Sequence, residues 1–311
     1  MPRVNIPPRA HNSAFTLIEL LVVIAIVGVL LGILLPALGS ARDSGRGLRC
    51  LSNLRQFVLG FHMYADDFAD STVPAKMPNR PGGTSNPANL YDVGNGLKFR
   101  PNWIAVMGPY VGVYPFAEPS ATSGRQDYHS DVYRCPSAPD WIDERNHAYG
   151  YNYQFLGNSR LRENGRYRHW PLKRTNIAAP GRTVMAADSL GTAAGFPEIE
   201  RTAYDAKGTQ VTDLGNHAHT LDPPRLTPTS DFGAGGSENN ARTAVAERHS
   251  LRANAVFLDG HAESRTPEQF GYRRQAGGVF TFGSPNPAQD ETTPNNALFS
   301  GDATDRNPPP R

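Results

Sequence analysis

The chain has 311 residues, with 31 Lys and Arg against 29 Asp and Glu. This near balance of charge argues against a nucleic-acid-binding domain, which usually carries a basic excess on one face, so we expect no nucleic-acid partner. Two cysteines exclude a disulfide-rich scaffold, while 39% apolar residues suffice for a buried core in one domain or two.

A long apolar segment lies close to the N-terminus. Residues 20–35 hold no charge, and thirteen of these sixteen residues are Leu, Ile or Val. A helix from Phe15 to Leu35 would rise about 31 Å, which matches a hydrocarbon core of about 30 Å. Arg3 and Arg9 precede the segment and no acid does, so the positive-inside rule predicts a single-pass protein with a cytoplasmic N-terminus.

Two other interpretations of this segment remain open. A buried core helix is one, although a helix apolar on every face is more typical of a membrane span. A secretory signal peptide is the other, because the small residues Ala37, Gly39 and Ala41 follow the apolar run. Against a signal peptide, the run exceeds the usual 7–15 residues and Glu19 lies within its leading end.

The sequence from Ala14 to Ile26, AFTLIELLVVIAI, closely resembles the cleavage and methylation signal of type IV prepilins and type II secretion pseudopilins. The resemblance implies that a prepilin peptidase removes residues 1–14 by cutting between Ala14 and Phe15. It also implies N-methylation of the new Phe15 amine. This chain has Ala14 where the family usually has Gly.

Glu19 places an ionisable carboxylate within the apolar segment. A carboxylate in hydrocarbon is unfavourable unless it is paired, and the α-ammonium of mature Phe15 is the expected partner, on the same chain or on a neighbouring subunit. Such a pair would fix the axial register between subunits, which is the role that the resemblance implies. The alternative is that Glu19 reaches the headgroups. Pro36 is expected to bend or break the helix.

Apolar residues continue beyond the span at spacings of three and four, which predicts a helix over 15–65 whose amphipathic second part packs on a sheet. Residues 66–282 are expected to form an exported α+β domain with an antiparallel sheet and long irregular loops. Short apolar runs, several of them typical of strands, occur at Trp103–Met107, Val132–Cys135, Tyr149–Leu156, Thr183–Ala187 and Ala253–Leu258. Six prolines in residues 283–311 predict a disordered tail.

The run at 253–258 ends in Asp259 and Gly260, a dipeptide that favours a tight hairpin turn. His249 precedes Asp259 with nine residues between them. This spacing resembles the signature of the prepilin-type processing-associated domain, whose function is unknown. Four other segments resemble the same family: Cys50–Gln56 (CLSNLRQ), Cys135–Ser137 (CPS), Tyr149–Asn152 (YGYN) and Pro180–Val184 (PGRTV), which ends near Asp188.

His249, Asp259 and His261 have the chemistry of zinc ligands. An extended strand over 253–258 would span about 20 Å, however, so His249 and Asp259 are not expected to share an ion. We predict structural roles instead, with His249 hydrogen-bonding the entry loop and Asp259 and Gly260 forming the turn. No cofactor or metal ligand is predicted, although zinc or calcium stays open.

The two cysteines are compatible with more than one state, and several catalytic motifs are missing from the sequence. Cys50 and Cys135 would lie on the exported side, where they could form a disulfide or remain free buried thiols. The chain lacks Gly-x-Ser-x-Gly, a phosphate-binding Gly-x-x-x-x-Gly-Lys and His-Glu-x-x-His, so no catalytic residue is predicted and we do not expect an enzyme.

The sequence therefore predicts a pilin-like α+β protein of the inner membrane, with its C-terminal domain in the periplasm or outside the cell. Its expected activity is assembly, as a pseudopilin-like subunit or minor component of a type II secretion or type IV pilus-like system. The expected partners are a prepilin peptidase and other pilin or pseudopilin subunits. Two alternatives stay open: a monomeric membrane-anchored binding protein in the periplasm, and a secreted enzyme with an ordinary signal peptide.

Overall fold

The structure is a computed structural model. It describes residues 17–78, 85–89, 91–92, 98–99, 101–112, 131–138, 149–162, 164–200, 219–227, 230–231, 243–281 and 294–309. The chain divides into two compact units, residues 1–45 and residues 46–311. The predicted cleavage and methylation site at Ala14 and Phe15 lies outside the described residues.

Three α-helices and eleven strands occur in the described part of the chain. The helices are α1 (Leu17–Asp67), α2 (Trp103–Val111) and α3 (Tyr153–Leu156). The strands are β1 (Tyr91–Asp92), β2 (Lys98–Phe99), β3 (Tyr149–Tyr151), β4 (Asn158–Leu161), β5 (Tyr167–His169), β6 (Val184–Gly191), β7 (Ala244–Val245), β8 (Ala253–Phe257), β9 (Ala262–Arg265), β10 (Arg273–Arg274) and β11 (Phe280–Thr281). Helices and antiparallel strands together make this an α+β protein, as predicted.

The first unit contains the apolar part of α1. Its large side chains are exposed, among them Leu17 at 85% and Ile33 at 71%. The helix continues through Pro36, so a break at that residue, one of the two predicted outcomes, does not occur. Its length and composition are those of a helix that can cross a membrane, which supports a single-pass membrane anchor.

The second unit begins with the remainder of α1, which has one buried face. Cys50, Leu54, Phe57 and Phe61 are all fully buried and follow one another at intervals of three or four residues. This spacing places them on one side of a helix, as the amphipathic pattern predicts. The helix ends at Asp67, two residues beyond the predicted end.

The main sheet has five strands and is antiparallel throughout. Its order is β3, β6, β8, β9, and β7 pairs with the later part of the central strand β6. The predicted hairpin turn joins β8 to β9: Gly260 has a φ of 97°, and the Phe257 N–H donates to the His261 carbonyl over 2.9 Å.

Both faces of this sheet are buried. Along β8, Ala253, Ala255 and Phe257 contribute to one core cluster, whereas Val256 belongs to a second cluster that includes the buried face of α1. The period of two is the alternation expected of a strand between two layers. The structure thus contains the predicted packing of α1 on one face of the sheet, and the first core cluster lies on the opposite face.

Three of the predicted apolar runs adopt structures other than a single strand. Val132–Cys135 begins within the 3-10 turn Asp131–Tyr133. Trp103–Met107 belongs to α2, where the Asn102 side chain caps the helix by accepting a hydrogen bond from the Ala105 N–H over 3.4 Å. Residues 149–156 divide into β3 and α3 at Asn152. Short apolar runs fit a buried helix as well as a strand, so periodicity alone does not separate them.

The predicted disorder of residues 283–311 is wrong for residues 294–309. Phe299 is fully buried in the cluster on the sheet face opposite α1, where its ring meets that of Tyr272 edge to face at 5.9 Å. The Leu298 carbonyl accepts a hydrogen bond from the Val184 N–H over 2.8 Å. Arg225 forms an ion pair with Asp305. Composition predicted disorder because it contains no information about tertiary contacts, such as the packing of the Phe299 ring in the core.

Candidate functional site

The second unit brings four side chains with metal-ligand chemistry into one buried cluster: Cys50, Cys135, Asp188 and His249. Cys50 lies on α1, Cys135 follows the short 3-10 turn Asp131–Tyr133, Asp188 lies on the central strand β6, and His249 precedes β8. We call this group the Cys-Cys-Asp-His cluster. Each residue comes from a different segment, so only the folded chain assembles it.

The donor atoms of the cluster lie close together. The Cys135 Sγ and the Asp188 Oδ2 are each 3.3 Å from the His249 Nε2. The Cys50 Sγ lies 3.4 Å from the Asp188 Oδ1 and 3.7 Å from its Oδ2. One donor atom from each residue lies within 4.8 Å of every other. The cluster therefore surrounds a single point.

Solvent has little access to the cluster. Cys50 and Asp188 are 0% exposed, Cys135 is 3% exposed, and the His249 side chain is 7% exposed. A surface pocket lined by Glu198, Ile199 and Arg274 contains none of the four residues. The four side chains are therefore nearly closed to solvent.

Main-chain and side-chain groups outside the cluster hold Asp188 in place. The Asn254 N–H donates to the Asp188 Oδ2 over 2.9 Å, and the Arg248 Nη1 lies 3.3 Å from the Oδ1. The Asn254 side chain donates to the Gly47 carbonyl of α1 over 3.0 Å. These contacts orient the carboxylate toward the helix.

Asn53 holds the segment that carries Cys135. Its side-chain amide donates to the main-chain carbonyls of Asp131 and Arg134, over 2.9 and 3.1 Å. Asn53 is 5% exposed and lies one turn of α1 beyond Cys50. The segment CLSNLRQ thus supplies one cluster residue and the residue that positions a second.

Mutual hydrogen bonds shift the acid–base equilibria of the cluster. Burial raises the pKa of the Cys50 thiol far above its ordinary value. A hydrogen bond from Cys50 is the largest influence on Cys135 and lowers the pKa of that thiol to about 6. Burial opposes charge on His249, but hydrogen bonds to Asp188 and Cys135 outweigh it and raise its pKa to about 9.

Most of the predicted site residues are described. Glu19 lies in the first turn of α1. Cys50 and Cys135 are both free thiols in the structure, which is one of the two states that the sequence left open. Asp259 is in the hairpin turn, where its Oδ1 accepts a hydrogen bond from the His261 N–H over 3.1 Å.

His249 and Asp259 lie at opposite ends of β8, so they do not share a site, as predicted. His249 does hydrogen-bond its own turn through its main chain, to Arg252. Its ring belongs to the cluster, which sequence reasoning did not find. The signal was present, because each of the four residues lies in or beside a segment that resembles the processing-associated family. The two cysteines, 85 positions apart in the sequence, suggested a disulfide or free buried thiols and not a shared metal site.

Two family models match the chain, one in its apolar N-terminal segment and the other mainly in the second unit. Residues 9–35 match the family model described as a prokaryotic N-terminal methylation motif. Together with the apolar α1 and the antiparallel sheet, this match is consistent with a prepilin-type, pseudopilin-like protein.

Residues 39–213, more than half of the chain, match the family described as a protein of unknown function, DUF1559. The protein belongs to this family. The matched range includes Cys50, Cys135 and Asp188, whereas His249 lies beyond it. No curated protein and no solved structure matches the chain.

Proposed function

We propose that this protein is a pseudopilin-like structural subunit, or a minor component, of a type II secretion or type IV pilus-like assembly. The observation that carries the proposal is the methylation motif at residues 9–35, which leads directly into an apolar helix. A prepilin peptidase would cut between Ala14 and Phe15 and methylate the new amine. The mature chain would then keep its apolar helix as an inner-membrane anchor.

The exposed apolar surface of α1 supports this role. The side chains of Leu21, Ile24 and Leu35 are each 62–63% exposed, and the exposure extends over every side of the segment. Contact between so much apolar surface and water is unfavourable. A lipid bilayer covers this surface before assembly, and the helices of neighbouring subunits would cover it in a filament.

Glu19 supplies the specificity that apolar contacts lack. A carboxylate within hydrocarbon is unfavourable unless an opposite charge lies close by. The methylated α-ammonium of Phe15 on an adjacent subunit supplies that charge at one axial offset, so the pair would select a single register.

The charges before the helix support one orientation. Arg3 and Arg9 favour a cytoplasmic N-terminus, and residues 46–311 would then lie in the periplasm or outside the cell. We propose no enzymatic activity for this domain, because the Cys-Cys-Asp-His cluster is at most 7% exposed and offers no open side to a substrate.

The mass of the mature N-terminus tests the proposal. Expressed with its secretion system, the chain should begin at methylated Phe15. An uncut chain would instead indicate a monomeric membrane-anchored binding protein. A chain that begins near Ser40 or Arg42 would indicate a secreted protein with an ordinary signal peptide.

Substitution of Glu19 tests the register. Glu19→Val should remain in the membrane fraction but should lose cysteine cross-links or co-purification with partner subunits. Asp43→Val removes a carboxylate from the same helix outside the apolar run and should assemble normally. Unchanged assembly of Glu19→Val would contradict the proposed role of Glu19.

A further inference from the structure

We propose that Cys50, Cys135, Asp188 and His249 bind one zinc ion, which fastens the helix α1 to the sheet and to the segment that carries Cys135. The proposal is independent of the assembly role, because it rests only on residues of the second unit. Sequence reasoning predicted a structural role for His249 without a metal, and the geometry points to a metal-bound one.

The donor set matches the preferences of zinc. Two thiolate sulfurs, one imidazole nitrogen and one carboxylate oxygen are the three kinds of ligand that Zn²⁺ accepts in proteins. Soft thiolates disfavour Ca²⁺ and Mg²⁺, which prefer oxygen ligands. Calcium, which the sequence left open, therefore fits this cluster poorly.

Three of the six distances between donor atoms match a tetrahedral site. With Zn–S near 2.3 Å and Zn–N or Zn–O near 2.0–2.1 Å, the edges of a tetrahedron are about 3.5–3.6 Å for S···N or S···O and about 3.3–3.4 Å for N···O. The observed edges are 3.3 Å between Cys135 Sγ and His249 Nε2, 3.3 Å between His249 Nε2 and Asp188 Oδ2, and 3.7 Å between Asp188 Oδ2 and Cys50 Sγ. The other three edges are at most 4.8 Å long, so closing the tetrahedron would shorten each of them by no more than about 1.5 Å.

The ring of His249 shows the same convergence. Its Nε2 faces both Cys135 Sγ and Asp188 Oδ2 at 3.3 Å, although a ring nitrogen has only one proton to donate. Its buried Nδ1 has no hydrogen-bond partner among the described residues. A catalytic relay would use the two ring nitrogens for two different partners. A shared cation accounts for both ligands pointing at one nitrogen.

Charge balance is compatible with a cation. Two thiolates and a carboxylate around Zn²⁺ carry a formal charge of minus one, and Arg248 lies 3.3 Å from Asp188 and compensates it. A disulfide between Cys50 and Cys135 needs neither Asp188 nor His249.

The coordination would be closed, because four protein ligands leave no position for a substrate or a reactive water. Closed four-coordinate sites are structural rather than catalytic. The four ligands come from a helix, a loop, a central strand and a turn, and the described residues contain no disulfide among them. A single ion would therefore cross-link the segments that form the core on this side of the sheet.

The test uses the full chain, purified in detergent under reducing conditions. Elemental analysis should find about one zinc per chain. Replacement by Co²⁺ should produce the thiolate-to-cobalt absorption and the visible bands of a tetrahedral site. Cys135→Ser and His249→Gln should lower zinc affinity at least about tenfold. His261→Gln removes an exposed imidazole at the other end of β8 and should bind zinc like the wild type.

Three results would overturn the proposal. The first is a reduced wild-type chain that takes up neither Zn²⁺ nor Co²⁺. The second is bound cobalt without thiolate absorption, which would place the metal elsewhere. The third is a cell-derived chain whose mass shows Cys50 and Cys135 joined as a disulfide. All three are measured on the wild-type chain, so they decide the question even where a variant fails to fold.

Discussion

Phe299 offers the most direct test of the domain boundary, because the composition of its segment predicts disorder and the structure places its ring in the core. Phe299→Ala removes a fully buried ring that meets Tyr272 edge to face at 5.9 Å. The Phe299 carbonyl keeps its hydrogen bond from Asn152, so the substitution affects the ring alone. Truncating a buried Phe to Ala costs about 3–5 kcal/mol of unfolding free energy.

For a domain of this size, a loss of that magnitude lowers the melting temperature by about 6–20 °C, at about 2–4 °C per kcal/mol. Near-UV circular dichroism of the full chain in one fixed detergent measures the shift. Ile199→Ala truncates an apolar side chain that is 94% exposed and should leave the melting temperature nearly unchanged. If Phe299→Ala melted like the wild type, the segment would not belong to the core.

Two further predictions concern the same C-terminal segment. Gly271→Ala should lower the urea midpoint of unfolding, because Gly271 has a φ of 96° and an added Cβ would lie 2.0 Å from the Asn295 carbonyl oxygen. Gly112→Ala is the control, since Gly112 has a left-handed φ but no close neighbour, and it should lower the midpoint much less. Equal midpoints for the two variants would refute the contact with Asn295. Asp302 is subject to burial, which opposes ionisation, but hydrogen bonds from Thr304 and Ser300 outweigh it and lower its pKa from 3.8 to about 2. The ionised Asp302 therefore stabilises the fold fully above pH 4, and this stabilisation is lost as the pH falls toward 2. Asp302→Asn should have a lower melting temperature than the wild type at pH 5 and the same melting temperature near pH 2. A difference in melting temperature that does not change with pH would refute the assignment.

The sequence predicted the elements whose signal is local. An apolar run of sufficient length predicts a spanning helix wherever it occurs, and the Asp259-Gly260 dipeptide predicts a turn from its own backbone preferences. The stripe that includes Leu54 and Phe61 predicted a packed helix face for the same reason. Each of these predictions needs only a few consecutive residues.

The cluster and the ordered C-terminal segment could not be predicted in this way, because both depend on contacts between distant parts of the chain. Cys50 and Asp188 are 138 residues apart, and only the pairing of β6 with β3 and β8 brings the carboxylate beneath α1. Phe299 lies among prolines and polar residues, and its burial depends on an uncovered sheet face that no local pattern reveals. Tertiary packing decides such positions.

The division of α1 has a practical consequence for releasing the domain from the membrane. The second compact unit starts at Arg46, while the helix itself continues to Asp67. A protease cut or a cloning boundary placed after Phe57 would remove the membrane-spanning segment, but it would also remove much of the buried face of α1 from the hydrophobic core. A soluble fragment should therefore keep the last six turns of the helix, and shedding in the cell would require a cut ahead of Arg46.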